Sequence, residues 1–334
     1  MGSTDFWIQA WQRKGWFNRV LYPLSFLAER WWHHQLRTTR PQALPVPLVV
    51  VGNLWPGGAG KTPVVMAVVQ GLQQRGWSVG VISRGHGRPS TQVQLLGPDD
   101  SASTVGDEPL LIHQRTGVPV AVGAHRIEAA QALLHAHPQL QVLISDDGLQ
   151  HVAMAHDIAL CVWDERGLGN GWMLPAGPLR EPWPRAPRAQ QLELHLNAPD
   201  PTIRSSYPMH RQLAPWAVNG LGQRCNLTEL ARQPVHAFCG IAKPAVFFQA
   251  LREAGLSLAV TQSWPDHHPF THWSPSPHRA AQWLCTEKDA VKIWPHHPEV
   301  WAVPLRCELP DAAWADIEQA LQAALRSRHG SQTA

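Results

Sequence analysis

The stretch "GNLWPGGAGKTP", residues 52–63, holds the side chains and amides best suited to gripping a phosphate. Gly57, Gly58 and Gly60 let backbone N–H groups turn towards an anion, and a helix opening near Thr62 adds its positive dipole end. Lys61 is placed to reach β- and γ-phosphate oxygens, and the Thr62 hydroxyl to bind Mg2+. Pro63 suits a first helical turn. The usual spacing, G-x-x-x-x-G-K-[ST], wants glycine where Trp55 stands. An apolar strand before the loop and a helix after it restore the match. The segment from Trp55 and Pro56 through Ala59 to Thr62 is therefore expected to hold ATP. The alternative is a glycine-rich turn with no ligand.

Four other stretches carry groups that could serve such a site. "QVLISDDGLQH" ends an apolar strand in Asp146 and Asp147, at the sheet edge where ligands of α/β folds bind. Carboxylates there hold Mg2+ beside a phosphate loop, whereas D-D-G alone reads as a turn. "VGDEP" offers Asp107 and Glu108, which by themselves need be no more than helix-capping residues. "ISRGHGR" sets Arg84 directly after a strand, to neutralise transferring phosphate or to pair with a surface carboxylate. "PDHHPF" offers His267 beside Asp266, an acid–base candidate and, lacking a third ligand at a recognisable spacing, a poor metal site.

These residues need a scaffold, and the pattern supplies an α/β one. Short apolar strands ("LVVVGN", "SVGVIS", "PVAVG", "QVLISDD", "IALCVW") alternate with helical segments near 62–75, 109–114 and 126–135. That alternation predicts a P-loop NTPase-like, mostly parallel sheet with helices on both faces. After "QLELHLN" a proline- and serine-containing stretch, residues 198–208, predicts a boundary. Three parts follow: a helical segment over 1–40, a nucleotide-binding domain over 41–198, and a smaller α/β sandwich over 199–334 that ends in a helix near 311–327.

Composition excludes several classes. A net charge of +3 over 334 residues is too small to argue for nucleic acid, and none is expected as a partner. Five scattered cysteines with no C-x-x-C pair argue against a disulfide framework or structural zinc. No run is long and apolar enough to span a bilayer, and no secretory leader is expected. Tryptophan is abundant, 17 in all, and Trp7, Trp11, Trp16, Trp31 and Trp32 crowd the first 32 residues with Arg13, Lys14, Arg19 and Arg30. Phe17, Val20, Leu21, Leu24, Leu27, Ala28 and Trp31 fall on one helical face. That stripe suits either a helix lying in a bilayer interface or one docked on the core, with a kink or break expected at Pro23.

Together, "GNLWPGGAGKTP", "ISRGHGR", "VGDEP", "DDGLQH", "GNGWMLPAGPLREP", "PDHHPF" and "CTEKDAVK" resemble, in order, the motifs of the tetraacyldisaccharide 4'-kinases, the lipid A kinases of Gram-negative bacteria. The loop of that family also lacks the first glycine, usually having a small hydroxyl residue there. Trp55-Pro56 is a departure, and Ala59 a milder one. The resemblance implies two α/β/α domains around a cleft. It also implies transfer of the ATP γ-phosphoryl to the 4'-hydroxyl of an acylated glucosamine disaccharide 1-phosphate, forming lipid IVA. The N-terminal helix would hold the enzyme on the cytoplasmic face of the inner membrane. By motif match, Asp107 would orient or deprotonate the sugar hydroxyl, coupled to His267, and Glu108, Asp146 and Asp147 would surround Mg2+ and nucleotide. The rival readings are a membrane-bound P-loop ATPase acting as a switch, and a soluble small-molecule kinase whose first helix is core.

Overall fold

The computed structural model describes residues 3–58, 60–184, 189–196, 205–275 and 282–330. Ala59 and the expected boundary at 198/199 lie outside them. Two sheets organise the chain. The larger has eight strands in the order Gln94–Leu95, Val120–Val122, Val79–Ser83, Val142–Asp146, Leu48–Gly52, Ile158–Trp163, Gln190–His195, Ser206–Pro208. All neighbours are parallel except the first pair. The four central strands are buried along their whole length, which suits their Val- and Ile-rich runs.

Each face of this sheet carries its own core. On one, Val64, Val68 and Leu72 of helix Lys61–Gln74 pack with Leu110 and Ile112 of helix Asp107–Thr116. On the other, Ala129 and Leu133 of helix Arg126–Ala136 pack beside Trp32 of the N-terminal helix. The closing helix, Asp311–Gly330, follows the smaller sandwich in sequence and is expected to belong to it. Its Trp314, Ile317 and Leu321 instead join the first face of the large sheet. Arg328 secures the far end, donating to both oxygens of Asp157 at 2.8 Å. Strand Ser206–Pro208 likewise extends the large sheet.

The smaller sheet has six strands, ordered Arg224–Asn226, Trp216–Asn219, Trp301–Val303, Trp283–Thr286, Val235–Cys239, Leu258–Ser263. A two-stranded ribbon, His210–Leu213 with Leu305–Glu308, joins the two bodies.

At the N-terminus, Ser3–Ala10 and Trp16–Thr38 are helical, the second running through Pro23 without a break. Pro23 and Arg19, whose carbonyl the proline cannot satisfy, are both exposed, so water can take the lost bond. The expected break is therefore absent.

Candidate active site

Strand Leu48–Gly52 ends in the phosphate loop, and Asn53 joins the loop's two ends. The Asn53 amide donates to the Trp55 carbonyl at 2.8 Å, and its Oδ1 accepts from Lys61 Nζ at 3.1 Å. Gln150 donates to the Asn53 carbonyl at 3.3 Å and to the buried Glu181 at 2.9 Å. Trp55 does not face a ligand. Its indole is buried, donates to the Gly167 carbonyl at 2.7 Å, lies under Arg166 at 4.6 Å and meets the edge of Trp11 at 6.2 Å. Within the loop expected to hold ATP, Trp55 can therefore contribute through its backbone. Pro56 is half-buried, while Gly57 and Gly58 are exposed. Gly60 has φ +70°, and a side chain there would collide with Arg211, which packs on the loop from the connecting ribbon. Lys61 opens the helix, and half-buried Thr62 follows in its first turn.

Asp146 and Asp147 stand at the carboxyl end of the adjacent strand, with different partners. Asp147 adopts φ +51° as the chain turns. Its Oδ1 lies 2.9 Å from Arg180 and 3.7 Å from Lys61. Burial pushes this carboxyl up, but Lys61 and Arg180 outweigh it and hold it below the ordinary value. Asp146 is buried, with Oδ1 lacking a hydrogen-bond partner. Burial first, then the charge of Glu108, pushes it up to about 7. An under-compensated carboxylate beside a second one fits a divalent cation, which takes few protein ligands when phosphates supply the rest. Asp146, Glu108 and Thr62 therefore fit Mg2+. Asp147 pairs with cations through Oδ1, which leaves Oδ2 for the same Mg2+ environment. Among the described residues, no group of three His, Cys, Asp or Glu is preassembled around a metal position.

Arg84 follows its strand as expected, but is exposed and makes no ion pair or hydrogen bond among the described residues. Two further cations, not singled out in the sequence, lie at the neighbouring strand end. Arg126 donates to the Asp147 carbonyl at 2.8 Å, and Arg180 binds the Asp147 carboxylate. A signal for Arg126 existed: a cation opening a helix opposes the helix dipole and needs an external partner. Arg180 lay inside a quoted motif without a role.

Asp107 and His267, far apart in sequence, meet across the cleft. Asp107 begins helix Asp107–Thr116, one residue after the N-cap Gly106. His267 sits at φ +61° in the loop after strand Leu258–Ser263 of the smaller body. Its Nδ1 lies 3.1 and 3.0 Å from the two Asp107 oxygens. Its Nε2 lies 3.1 Å from Lys288, which also pairs with Glu108 at 3.2 Å and Asp266 at 3.0 Å. Burial pushes Asp107 up, but the His267 hydrogen bond, aided by Lys288 and Lys292, holds it at about 2. The same hydrogen bond raises His267 against its own desolvation. His268 turns away into an aromatic cluster with Trp264 and Phe270.

The chemistry of this arrangement is that of phosphoryl transfer: an amide-lined loop with its lysine, paired carboxylates for a cation, and a third carboxylate held ionised opposite them. Comparison with known proteins agrees. The family model for LpxK, tetraacyldisaccharide-1-P 4'-kinase, matches residues 17–324. A tetraacyldisaccharide 4'-kinase of Acidovorax sp. (strain JS42) is 46% identical over 325 residues, covering 96% of this chain and 95% of that protein. One from Delftia acidovorans is 45% identical over 325 residues, with the same coverage of 96% and 95%. The crystal structure of LpxK from Aquifex aeolicus in complex with ATP superposes with a TM-score of 0.79 at 26% identity, over 91% of this chain and 99% of that one. The chain belongs to the tetraacyldisaccharide 4'-kinase family.

Proposed function

We propose that this chain transfers the ATP γ-phosphoryl to the 4'-hydroxyl of tetraacyldisaccharide 1-phosphate, the reaction for which its relatives are named. The observation that carries the residue assignments is the Asp107–His267 pair, formed across the cleft beside Glu108 and the phosphate loop. Lys61 neutralises β- and γ-oxygens, with Arg126 and Arg180 fixing the carboxylate strand end beneath them. Asp146, Glu108 and Thr62 would hold Mg2+, which would supply further charge neutralisation when bound with the nucleotide. Asp107 accepts a hydrogen bond from the 4'-hydroxyl. As the new O–P bond forms and the bond to the β-phosphate oxygen breaks, ADP leaves with the electron pair. In a loose transition state the hydroxyl keeps its proton until late. By then its oxygen is strongly acidic, so a carboxylate held near 2 is basic enough to take the proton.

The N-terminal helices suit work at the cytoplasmic face of the inner membrane, where an acylated acceptor resides. Val20, Leu24, Leu27 and Trp31 are all exposed, forming an apolar stripe turned away from the protein. Among the described residues no helix is long and apolar enough to cross a membrane. We assign the segment to the bilayer surface. The test is incubation of the purified chain with radiolabelled ATP and the acylated disaccharide 1-phosphate. The expected product carries one added phosphate, at the 4' position. Release of labelled phosphate to water alone would instead support an ATPase.

A further inference from the structure

The segment "CTEKDAVK" spans the end of strand Trp283–Thr286 and helix Glu287–Ile293, and three of its charged residues, Glu287, Asp289 and Lys292, are far more buried than a short helix requires. Thr286 caps the helix by accepting the Asp289 N–H, so the cap has no need of the Asp289 carboxylate. Yet Asp289 is fully buried. Its Oδ2 accepts from the Gly240 N–H at 2.9 Å and from the Thr286 hydroxyl at 2.7 Å. Its Oδ1 lies 3.1 Å from Lys292 Nζ. Lys292, whose side chain is 8% exposed, reaches on across the cleft to Asp107 Oδ2 at 3.6 Å. Neither approach is aligned as a hydrogen bond, so charge holds the ammonium between two carboxylates, with the Phe270 ring 5.1 Å away.

Gly240 starts the turn that meets the phosphate loop. A side chain on Gly58 would stand 3.3 Å from Ala242 Cβ. The next residue, Lys243, pairs with Asp164 at 3.3 Å and with Glu165. One continuous path therefore runs from Asp107 through Lys292, Asp289 and Gly240 to the turn lying on the loop that carries ATP. We infer that Lys292 and Asp289 are positioning residues that set Asp107 in register with the phosphate loop when the two bodies face each other. The inference rests on the reading of Asp107 as the hydroxyl-facing carboxylate. Misplacing such a group by about 1 Å costs on the order of a hundredfold in rate.

The test is steady-state kinetics of the full chain with ATP and the acylated disaccharide 1-phosphate, with thermal unfolding alongside. Lys292→Met should lower kcat about 10- to 100-fold and leave the KM for ATP within about twofold. Lys292→Arg, which keeps the charge, should retain more activity. Because Lys292→Met alone strands the buried Asp289 charge and can unfold the protein, Lys292→Met/Asp289→Asn is measured too. It removes both charges and should keep the fold while losing the same kcat. Added to Asp107→Asn, Lys292→Met should cost little more, since residues acting as one unit are non-additive. A folded double variant with unchanged kcat, beside an inactive Asp107→Asn, overturns the inference alone. An active Asp107→Asn overturns the reading beneath it as well. A parallel rise in the KM for ATP shows general disruption and also overturns it.

Discussion

Lys61 stands between a neutral amide and a carboxylate, 3.1 Å from Asn53 and 3.7 Å from Asp147, and packs no core. Lys61→Met should therefore lower kcat by on the order of a hundredfold or more, the scale of one lost transition-state donor. Its unfolding midpoint should stay near that of the wild type, and kinetics paired with calorimetry check both. The Asp107–His267 pair makes a pH prediction. Asp107 is lowered to about 2, so its contribution to stability is complete above the unfolded value of about 3.9 and is lost as pH falls towards 2. His267 is raised, so its contribution is complete below about 6.5 and is lost as pH rises through its folded value. The pair is at full strength between about pH 4 and pH 6.5. The stability gap between wild type and His267→Gln in urea should thus be larger near pH 6 than near pH 9. A gap that does not change over that range would detach His267 from Asp107.

At the scale of elements, the first part of helix Trp16–Thr38 has its polarity reversed relative to a core helix, while Trp32 further along joins the core. Its docked side uses Asn18 and Ser25. Asn18 donates to the Ala176 carbonyl at 2.8 Å, and the Ser25 hydroxyl bridges the Met173 carbonyl and the Ala176 N–H at 2.8 and 2.9 Å. Removing that hydroxyl leaves the buried Ala176 N–H unpaired, while the Met173 carbonyl keeps the Gly177 N–H, at a cost of about 1–3 kcal/mol. Ser25→Ala should accordingly speed amide hydrogen exchange in this helix while exchange in the central strands stays unchanged. The outward side predicts the opposite pairing of effects. Leu24→Glu/Leu27→Glu should weaken flotation with anionic vesicles without lowering the unfolding midpoint, because both side chains are exposed. A large loss of stability would return the stripe to the core.

The whole molecule is two α/β bodies tied by a ribbon and closed by contacts across a cleft. Besides Asp107–His267, Arg115 pairs with the buried Glu287 at 2.9 Å, and Lys243 spans to Asp164. Lys243 is about a third exposed, so solvent screens it and its worth lies in geometry more than stability. Lys243→Met should raise the KM for ATP several-fold, on the scale of about 1 kcal/mol for an exposed pair, and should flatten the salt dependence of kcat/KM. Initial rates over a salt series measure this. An unchanged KM would leave the contact incidental to nucleotide binding.

Much of this protein could be read without its structure. The alternation of Val- and Ile-rich runs with helical periods indicated a parallel sheet, and the strand-ending motifs indicated its carboxyl edge, because both are local patterns imposed by burial and by the chain's turn after each strand. The same locality explains the failures. Nothing near Trp55 says that its indole turns to Gly167 and Trp11. Nothing in a helix of period 3.6 says which of its residues dock; Asn18 and Ser25 bonding to the 173–176 turn, with Trp32 in the core, decided that and left Val20, Leu24, Leu27 and Trp31 exposed. The closing helix follows the smaller sheet in sequence but finds its apolar partner on the larger one. Arg126 and Arg180 meet Asp147 from separate segments, and Arg84, next to a strand end, does not. Local sequence determines which backbone forms and which groups are available. Long-range packing determines which groups meet, since ion pairs and hydrogen bonds depend on distances of a few ångströms between segments that the sequence holds far apart.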